Sequence, residues 1–251
     1  MHQETDGLVL RETRYKDADK ILTLLTRDHG KLTVSARGAL KPKYKNAAST
    51  QVLAYSRFQL FNYKDRWQLQ DASLYDAWLP LRTDLDRVSL GYYAAELCEA
   101  VAQEGVAAPE LLTLLGLMLH RLGARADDIN AVKAAYELRL MALSGYEPDV
   151  RDCVVCGTGN PLQPRLHALE GALHCADCRA KMPEGLSLPL SADSLAALRY
   201  VLQADVRKLF SFELRAEDAR LLARTAEVFT LTQLERGFNT LEFYKRIRGD
   251  S

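Results

Sequence analysis

Four of the five cysteines stand in two Cys-x-x-Cys pairs, Cys153-Val154-Val155-Cys156 and Cys175-Ala176-Asp177-Cys178, with 18 residues between them. Each pair turns both sulfurs to one side, and a segment of that length can fold back to join the pairs. The spacing therefore predicts one tetrahedral thiolate site holding a single structural zinc ion. Two disulfides, or a redox Cys-x-x-Cys occurring twice, are the competing readings. Four thiolates close the coordination sphere and leave no position for water or substrate, so the site is expected to staple a fold and not to catalyse. His174 could replace one sulfur, but with four cysteines present it is expected outside the ligand set. Cys98, in a helical pattern, is expected to be a small buried apolar residue.

A second chemistry lies in the distribution of charge. The chain carries 33 basic and 33 acidic residues, yet residues 27–66 hold 9 Lys/Arg against 2 Asp/Glu, and residues 1–80 are net +4. Such a split is informative where total charge is not. Lys31, Arg37, Lys41, Lys43, Lys45, Arg57, Lys64 and Arg66 are the candidate phosphate contacts. Tyr44, Tyr55, Phe58, Phe61, Tyr63 and Trp67 lie among them, and cations that track a phosphate chain beside aromatic faces for the bases make a sequence-neutral single-strand site. Phe58 and Trp67 are expected inside, Tyr44 and Tyr63 outside. An ordinary solvated basic face is the plainer account of the same charges.

Enzyme signals are missing. There is no nucleophile elbow, phosphate-cradling Gly-rich loop or His-Glu-x-x-His helix. Asp65 and Asp71 are too few for a nuclease metal site, and the five histidines have no evident partners. The chain is expected not to be an enzyme.

The elements that must position these groups follow from periodicity. Runs at 7–10, 21–26, 31–37, 52–61 and 67–72 are β-branched, Leu-rich or aromatic, and turn residues such as Asp28-His29-Gly30 separate them. Leu32, Val34 and Ala36 alternate with Thr33, Ser35 and Arg37 as in a half-buried strand. Five strands in so short a stretch suit an OB-type barrel, with an SH3-like barrel as competitor. Gly38 to Ala48, with Lys41-Pro42-Lys43-Tyr44-Lys45, is expected to be a mobile basic loop. From Leu79-Pro80 the period becomes helical: Leu81, Leu85, Val88, Tyr92 and Ala95 form one stripe, Leu111 to Leu122 a second, and Val132, Tyr136, Leu140 and Leu143 a third. Helices resume after the cysteines with Ser191 as an N-cap and a long helix from 216 to 236. The tail Tyr244-Lys245-Arg246-Ile247-Arg248 is short and basic.

The fold class expected is α+β multidomain: an N-terminal five-stranded OB-type β-barrel followed by an α-helical domain with an inserted four-cysteine zinc module. Its parts are a barrel (1–79), a helical bundle (80–150), the zinc module (151–182) and C-terminal helices that pack with the bundle (183–251). Composition, 48% hydrophobic and 26% charged, suits soluble folded domains. With no apolar run of about 18 residues and a polar start, a cytosolic protein is expected.

The order of these parts resembles the RecO family of bacterial recombination mediators. Gly30-Lys31-Leu32 and Ala36-Arg37-Gly38-Ala39-Leu40-Lys41-Pro42-Lys43 resemble that family's barrel segment and basic loop, with Leu40 where a basic residue is common. Glu137-Leu138-Arg139 through Leu143-Ser144-Gly145-Tyr146-Glu147-Pro148, followed by the first knuckle, resembles its helix end. The resemblance implies a cytoplasmic, nucleoid-associated repair protein that is not an enzyme, binds single- and double-stranded DNA and anneals complementary strands. It further implies work with RecR to load RecA on DNA coated by single-stranded DNA-binding protein, a functional link to RecF, and docking of that protein's acidic C-terminal tail. For the tail, Arg121, Arg125 and Arg139 are the candidate contacts. A protein-interaction adaptor with an incidental basic face is the alternative.

Overall fold

The computed structural model describes residues 1–64, 66–124 and 128–249. Five strands, β1 (His2–Tyr15), β2 (Asp19–Thr26), β3 (Gly30–Ala36), β4 (Tyr55–Tyr63) and β5 (Arg66–Asp76), close into a barrel in the order β1-β2-β3-β5-β4. All contacts are antiparallel except the β3–β5 seam, which is parallel and only two residue pairs long, Val34 with Trp67 and Ser35 with Gln68. The alternation seen in the sequence sets the register. Val9, Leu22, Leu24, Leu32, Val34, Ala36, Phe58 and Leu60 fill the barrel, while Thr33 and Arg37 point to solvent. Strands β1, β2 and β5 run past the expected ends because outward-facing residues such as Glu4 and Asp6 keep pairing after the apolar pattern stops, while β4 begins three residues later than expected and β3 ends one earlier.

The connection from Gly38 to Leu53, expected to be a mobile loop, carries hydrogen bonds of its own. The Gly38 amide donates to Asp19 Oδ1 at 2.7 Å and that of Leu40 to the Ala18 carbonyl at 2.9 Å. Turns then lead to a single 3-10 turn at Ala48–Thr50, which the Thr50 hydroxyl ties to the Asn46 carbonyl at 2.9 Å. A connection that covers an incomplete seam must satisfy its own backbone groups, and this one does so by short-range bonds.

Helices α1 (Leu79–Arg82), α2 (Leu85–Val101), α3 (Pro109–Ala124), α4 (Ile129–Leu143), α5 (Ala192–Gln203), α6 (Ala216–Leu234) and α7 (Asn239–Arg248) follow, with a three-stranded sheet of β6 (Arg165–His167), β7 (Ala172–His174) and β8 (Ser187–Pro189) between α4 and α5. The stripe expected to run unbroken from Leu81 to Ala95 is interrupted. Asp84 caps α2 by accepting from the Arg87 amide at 3.1 Å, and Leu85 is 61% exposed while Leu90, Tyr93, Ala94 and Leu97 are buried. Helix α2 packs against both α3 and α7, so a single-stripe reading misplaces its core face.

The basic tail is the helix α7. Phe238, just before it, is buried and meets the Tyr93 ring edge-on. Glu96 of α2 accepts from the Thr240 amide at 3.1 Å and from the Thr240 hydroxyl, a carboxylate at a helix N-terminus where the dipole favours it.

Two compact units result, Met1–Ala124 with Phe238–Ser251 and Arg125–Gly237. The helices expected to form one bundle over 80–150 are thus divided: α1 to α3 group with the barrel, α4 with α5, α6 and the small sheet. Helix α4 is buried on nearly every side, and within it Lys133 reaches Glu137 at 2.8 Å and Glu227 of α6 at 2.9 Å. Burial alone would push the Lys133 ammonium toward neutrality, but the two carboxylates outweigh it and keep it charged. No helix among the described residues is long and apolar enough to cross a membrane.

Gly30 joins the barrel to its helices. It has φ +58°, and a Cβ there would lie 1.9 Å from the Val106 carbonyl oxygen; the next residue, Lys31, exchanges backbone hydrogen bonds with Gln103 and Gly105 at 3.1 and 3.4 Å. Gly30→Ala is expected to cost about 2 kcal/mol or more, from a left-handed alanine that also collides with backbone. Gly116→Ala, inside α3 where a Cβ meets nothing, should be neutral or stabilising by about 0.5–1 kcal/mol. Urea unfolding of the two variants checks both signs.

Candidate nucleic-acid interface and metal centre

The eight basic residues selected from the sequence lie on the barrel unit in two different states. Lys31 is partly buried and its ammonium donates to the Glu99 carbonyl at 2.9 Å, so it ties β3 to α2. Lys45 pairs with Asp71 at 2.9 Å, which holds the Asp71 carboxyl below its usual range. Arg57 pairs with Asp6 at 3.1 Å and its guanidinium lies over the Tyr75 ring, 5.6 Å from the centroid. Arg37, Lys41, Lys43, Lys64 and Arg66 are exposed, and among the described residues no carboxylate pairs with them. The free cations therefore sit at the end of β3, on the connection after it, and on the β4–β5 hairpin.

The aromatic residues sort differently from expectation in one case. Phe58 is fully buried, Tyr63 is 56% exposed and Trp67 packs partly buried against the barrel core. Tyr44, expected outside, also packs against that core, and burial raises its hydroxyl above the usual tyrosine range. Basic neighbours on both sides hid its role, since the signal for a plug is the incomplete seam and not the local sequence. Tyr75, which the sequence left unassigned, covers Arg57 and donates its hydroxyl to Asp6 at 3.1 Å.

The metal centre is built by the small sheet. Leu173 of β7 exchanges backbone bonds with the approach to the first knuckle: its amide donates to the Asp149 carbonyl at 2.9 Å and its carbonyl accepts from Val154 at 3.0 Å. This pairing lays Cys153 beside Cys175. Gly157, at φ +72°, turns the knuckle and donates to the Cys153 carbonyl at 2.8 Å. Arg199 of α5 holds the same loop from outside, donating to the carbonyls of Val150, Arg151 and Gly159 at 2.8, 2.7 and 2.7 Å.

The sulfur of Cys175 stands 3.4 Å from those of Cys153, Cys156 and Cys178, and all four lie within 4.8 Å of one another. Disulfides need about 2.05 Å, and the cysteines are free. A tetrahedral thiolate site with bonds of about 2.3 Å has edges of about 3.8 Å, so the donor set fits one soft cation. Burial raises the Cys153 thiol, but the backbone amides of Cys156, Cys175 and Val155 outweigh it and bring it down to about 6. Cys175 is pushed up by Cys178, Cys153 and Cys156: four crowded sulfurs cannot ionise together without a cation between them. His174 is buried outside the set. Its Nδ1 lies 2.8 Å from the Cys175 carbonyl and its Nε2 2.9 Å from the Ser187 hydroxyl, and burial keeps the ring neutral.

The arginines selected for a partner's acidic tail fall in different compact units. Arg121 ends α3 in the first unit, while Arg139 of α4, in the second, donates to the Ala204 carbonyl. Arg125 lies outside the described residues.

Comparison with known proteins assigns a family. The family model for the Recombination protein O N terminal matches residues 1–77, and that for its C terminal matches residues 82–242. The chain is similar to the DNA repair protein RecO of Symbiobacterium thermophilum, with 32% identity covering 97% of this chain and 96% of that one. It is also similar to those of Alkaliphilus metalliredigens, 29% identical over 97% and 99%, and Myxococcus xanthus, 30% identical over 97% of each. A closed five-stranded barrel, helices that follow it and a four-cysteine cluster set among them thus coincide with matches over nearly the whole length, and the chain belongs to the RecO family of DNA repair proteins.

Proposed function

We propose that this chain is a recombination mediator that handles DNA without catalysing a reaction. The observation that carries the reading is the set of five exposed cations, Arg37, Lys41, Lys43, Lys64 and Arg66, which among the described residues meet no carboxylate, displayed on a small closed barrel where Lys45 and Arg57 are paired with acids. Cations held by short backbone bonds near a strand end lose little freedom on meeting phosphate, and they release counterions from either single or double strands. Annealing follows from the same property, since a surface that binds phosphate without reading bases can hold two complementary strands. Family membership supports cooperation with RecR in loading RecA on DNA coated by single-stranded DNA-binding protein, docking of that protein's C-terminal tail, a link to RecF, and a cytoplasmic place at the nucleoid.

Binding to a labelled mixed-sequence single strand, followed by anisotropy across a salt series, checks the surface. Changing Lys41 and Lys43 together to Ala should lower the slope of log affinity against log salt by about 1.4, two single-strand phosphates' worth. Changing Arg57 to Ala should alter it far less, because Asp6 and Tyr75 already occupy that guanidinium. An unbound parent chain, or a slope indifferent to Lys41 and Lys43, would leave the protein an interaction adaptor.

For the four cysteines we infer zinc, bound as a structural ion by Cys153, Cys156, Cys175 and Cys178; closed tetrathiolate coordination suits it and offers no catalytic position. One zinc per chain is expected by elemental analysis. Chelation or Cys175→Ser should lower the melting temperature of the second unit, whose small sheet has few apolar residues to hold it, and leave single-strand affinity within about twofold. Immediate loss of DNA binding in a still-folded zinc-free protein would show that the two sites are coupled.

A further inference from the structure

Two turns of the barrel carry the same tripeptide, Tyr15-Lys16-Asp17 between β1 and β2 and Tyr63-Lys64-Asp65 between β4 and β5. At both, the lysine takes a left-handed backbone, φ +52° and +50°, and its ammonium lies over the ring of the tyrosine before it, 5.2 and 5.3 Å from the centroid. Both rings remain about half exposed, at 48% and 56%. A left-handed turn position is filled without strain by Gly and with little by Asn. Lysine there, twice, each time behind an exposed aromatic ring, contributes nothing to barrel packing that those residues would lack.

The register places the two turns about one strand face. Tyr15 pairs with Asp19, and Lys20 with Ala36, so the first turn stands at the C-terminal end of β3. Trp67 pairs with Val34, and Tyr63 with Arg66, so the second stands beside the middle of β3. Thr33, Ser35 and Arg37 face outward along that stretch, opposite the buried Leu32, Val34 and Ala36. A ring with a cation on one face and solvent on the other offers a surface for an unstacked base and a charge for the phosphate beside it.

We propose that Tyr15 and Tyr63 are base-stacking platforms, through which this barrel prefers single-stranded nucleic acid to duplex. The inference rests on the DNA-binding reading above and deepens it. The full chain is tested against a labelled oligothymidylate single strand and a mixed-sequence duplex, each across a salt series. Tyr15→Leu with Tyr63→Leu should weaken single-strand binding by about tenfold or more, since stacking is sequence-tolerant and substantial per base. Duplex affinity should stay within about twofold and both salt slopes should be unchanged, because no charge is removed. Tyr15→Phe with Tyr63→Phe, which keeps the rings, should restore single-strand affinity and so separates stacking from any effect on folding. Equal loss on both probes, or failure of the Phe pair to rescue, overturns the platforms. If the parent binds both probes and the Leu pair is unchanged, the platforms fall while the phosphate surface stands; a parent that binds neither overturns both readings.

Discussion

The barrel closes through a parallel seam of two residue pairs, and much of the first unit answers to how short that seam is. Strand backbone beyond a seam needs other partners. At one end, Gly30 and Lys31 find them in the connection between α2 and α3, a contact that only a residue without a side chain at position 30 allows. At the other, the connection after β3 folds back on Asp19 and Ala18 and sets Tyr44 against the core. Two consequences reach function. Lys31 is consumed in holding β3 to α2, and Lys41 and Lys43 stand exposed on a connection that makes its own backbone hydrogen bonds.

Charge on the barrel is divided, not merely abundant. One outward face pairs its cations with acids across neighbouring strands, as Arg57 does with Asp6, while the end of β3 and the β4–β5 hairpin leave theirs open. Exposed pairs of this kind add little to stability, so their main effect is to remove attraction for phosphate from part of the surface. A chain with equal numbers of basic and acidic residues thereby carries a confined cationic patch.

The second unit solves a different problem. Its small sheet has three residues per strand and cannot hold itself by burial alone. Hydrogen bonds from Leu173 and Arg199 pre-shape the first knuckle and set the four sulfurs within ligand distance. The backbone amides of Cys156, Cys175 and Val155 draw the Cys153 thiol toward its ionised form, the form that binds a metal. Beside it, the buried Lys133 between Glu137 and Glu227 fixes α4 against α6. Such an ion set contributes more to register than to net stability, since its desolvation offsets much of its attraction.

What the sequence by itself determined is whatever depends on local period and fixed spacing: the five barrel strands, Ser191 as a cap, α3 and α4, and the two cysteine pairs that meet. These are set by alternation, by turn residues and by short-range geometry, which the chain carries within a few residues. The tertiary structure decided which side chains are free. Lys31, Lys45 and Arg57 resemble Lys41 and Lys43 in the sequence, but Glu99, Asp71 and Asp6 come from other elements, and only the fold makes them neighbours. The same reason hid Tyr44 as a plug and α7 as a helix, whose docking depends on Glu96 and Tyr93, some 140 residues earlier. Pairing and burial are properties of contacts distant along the chain, and periodicity holds no record of them.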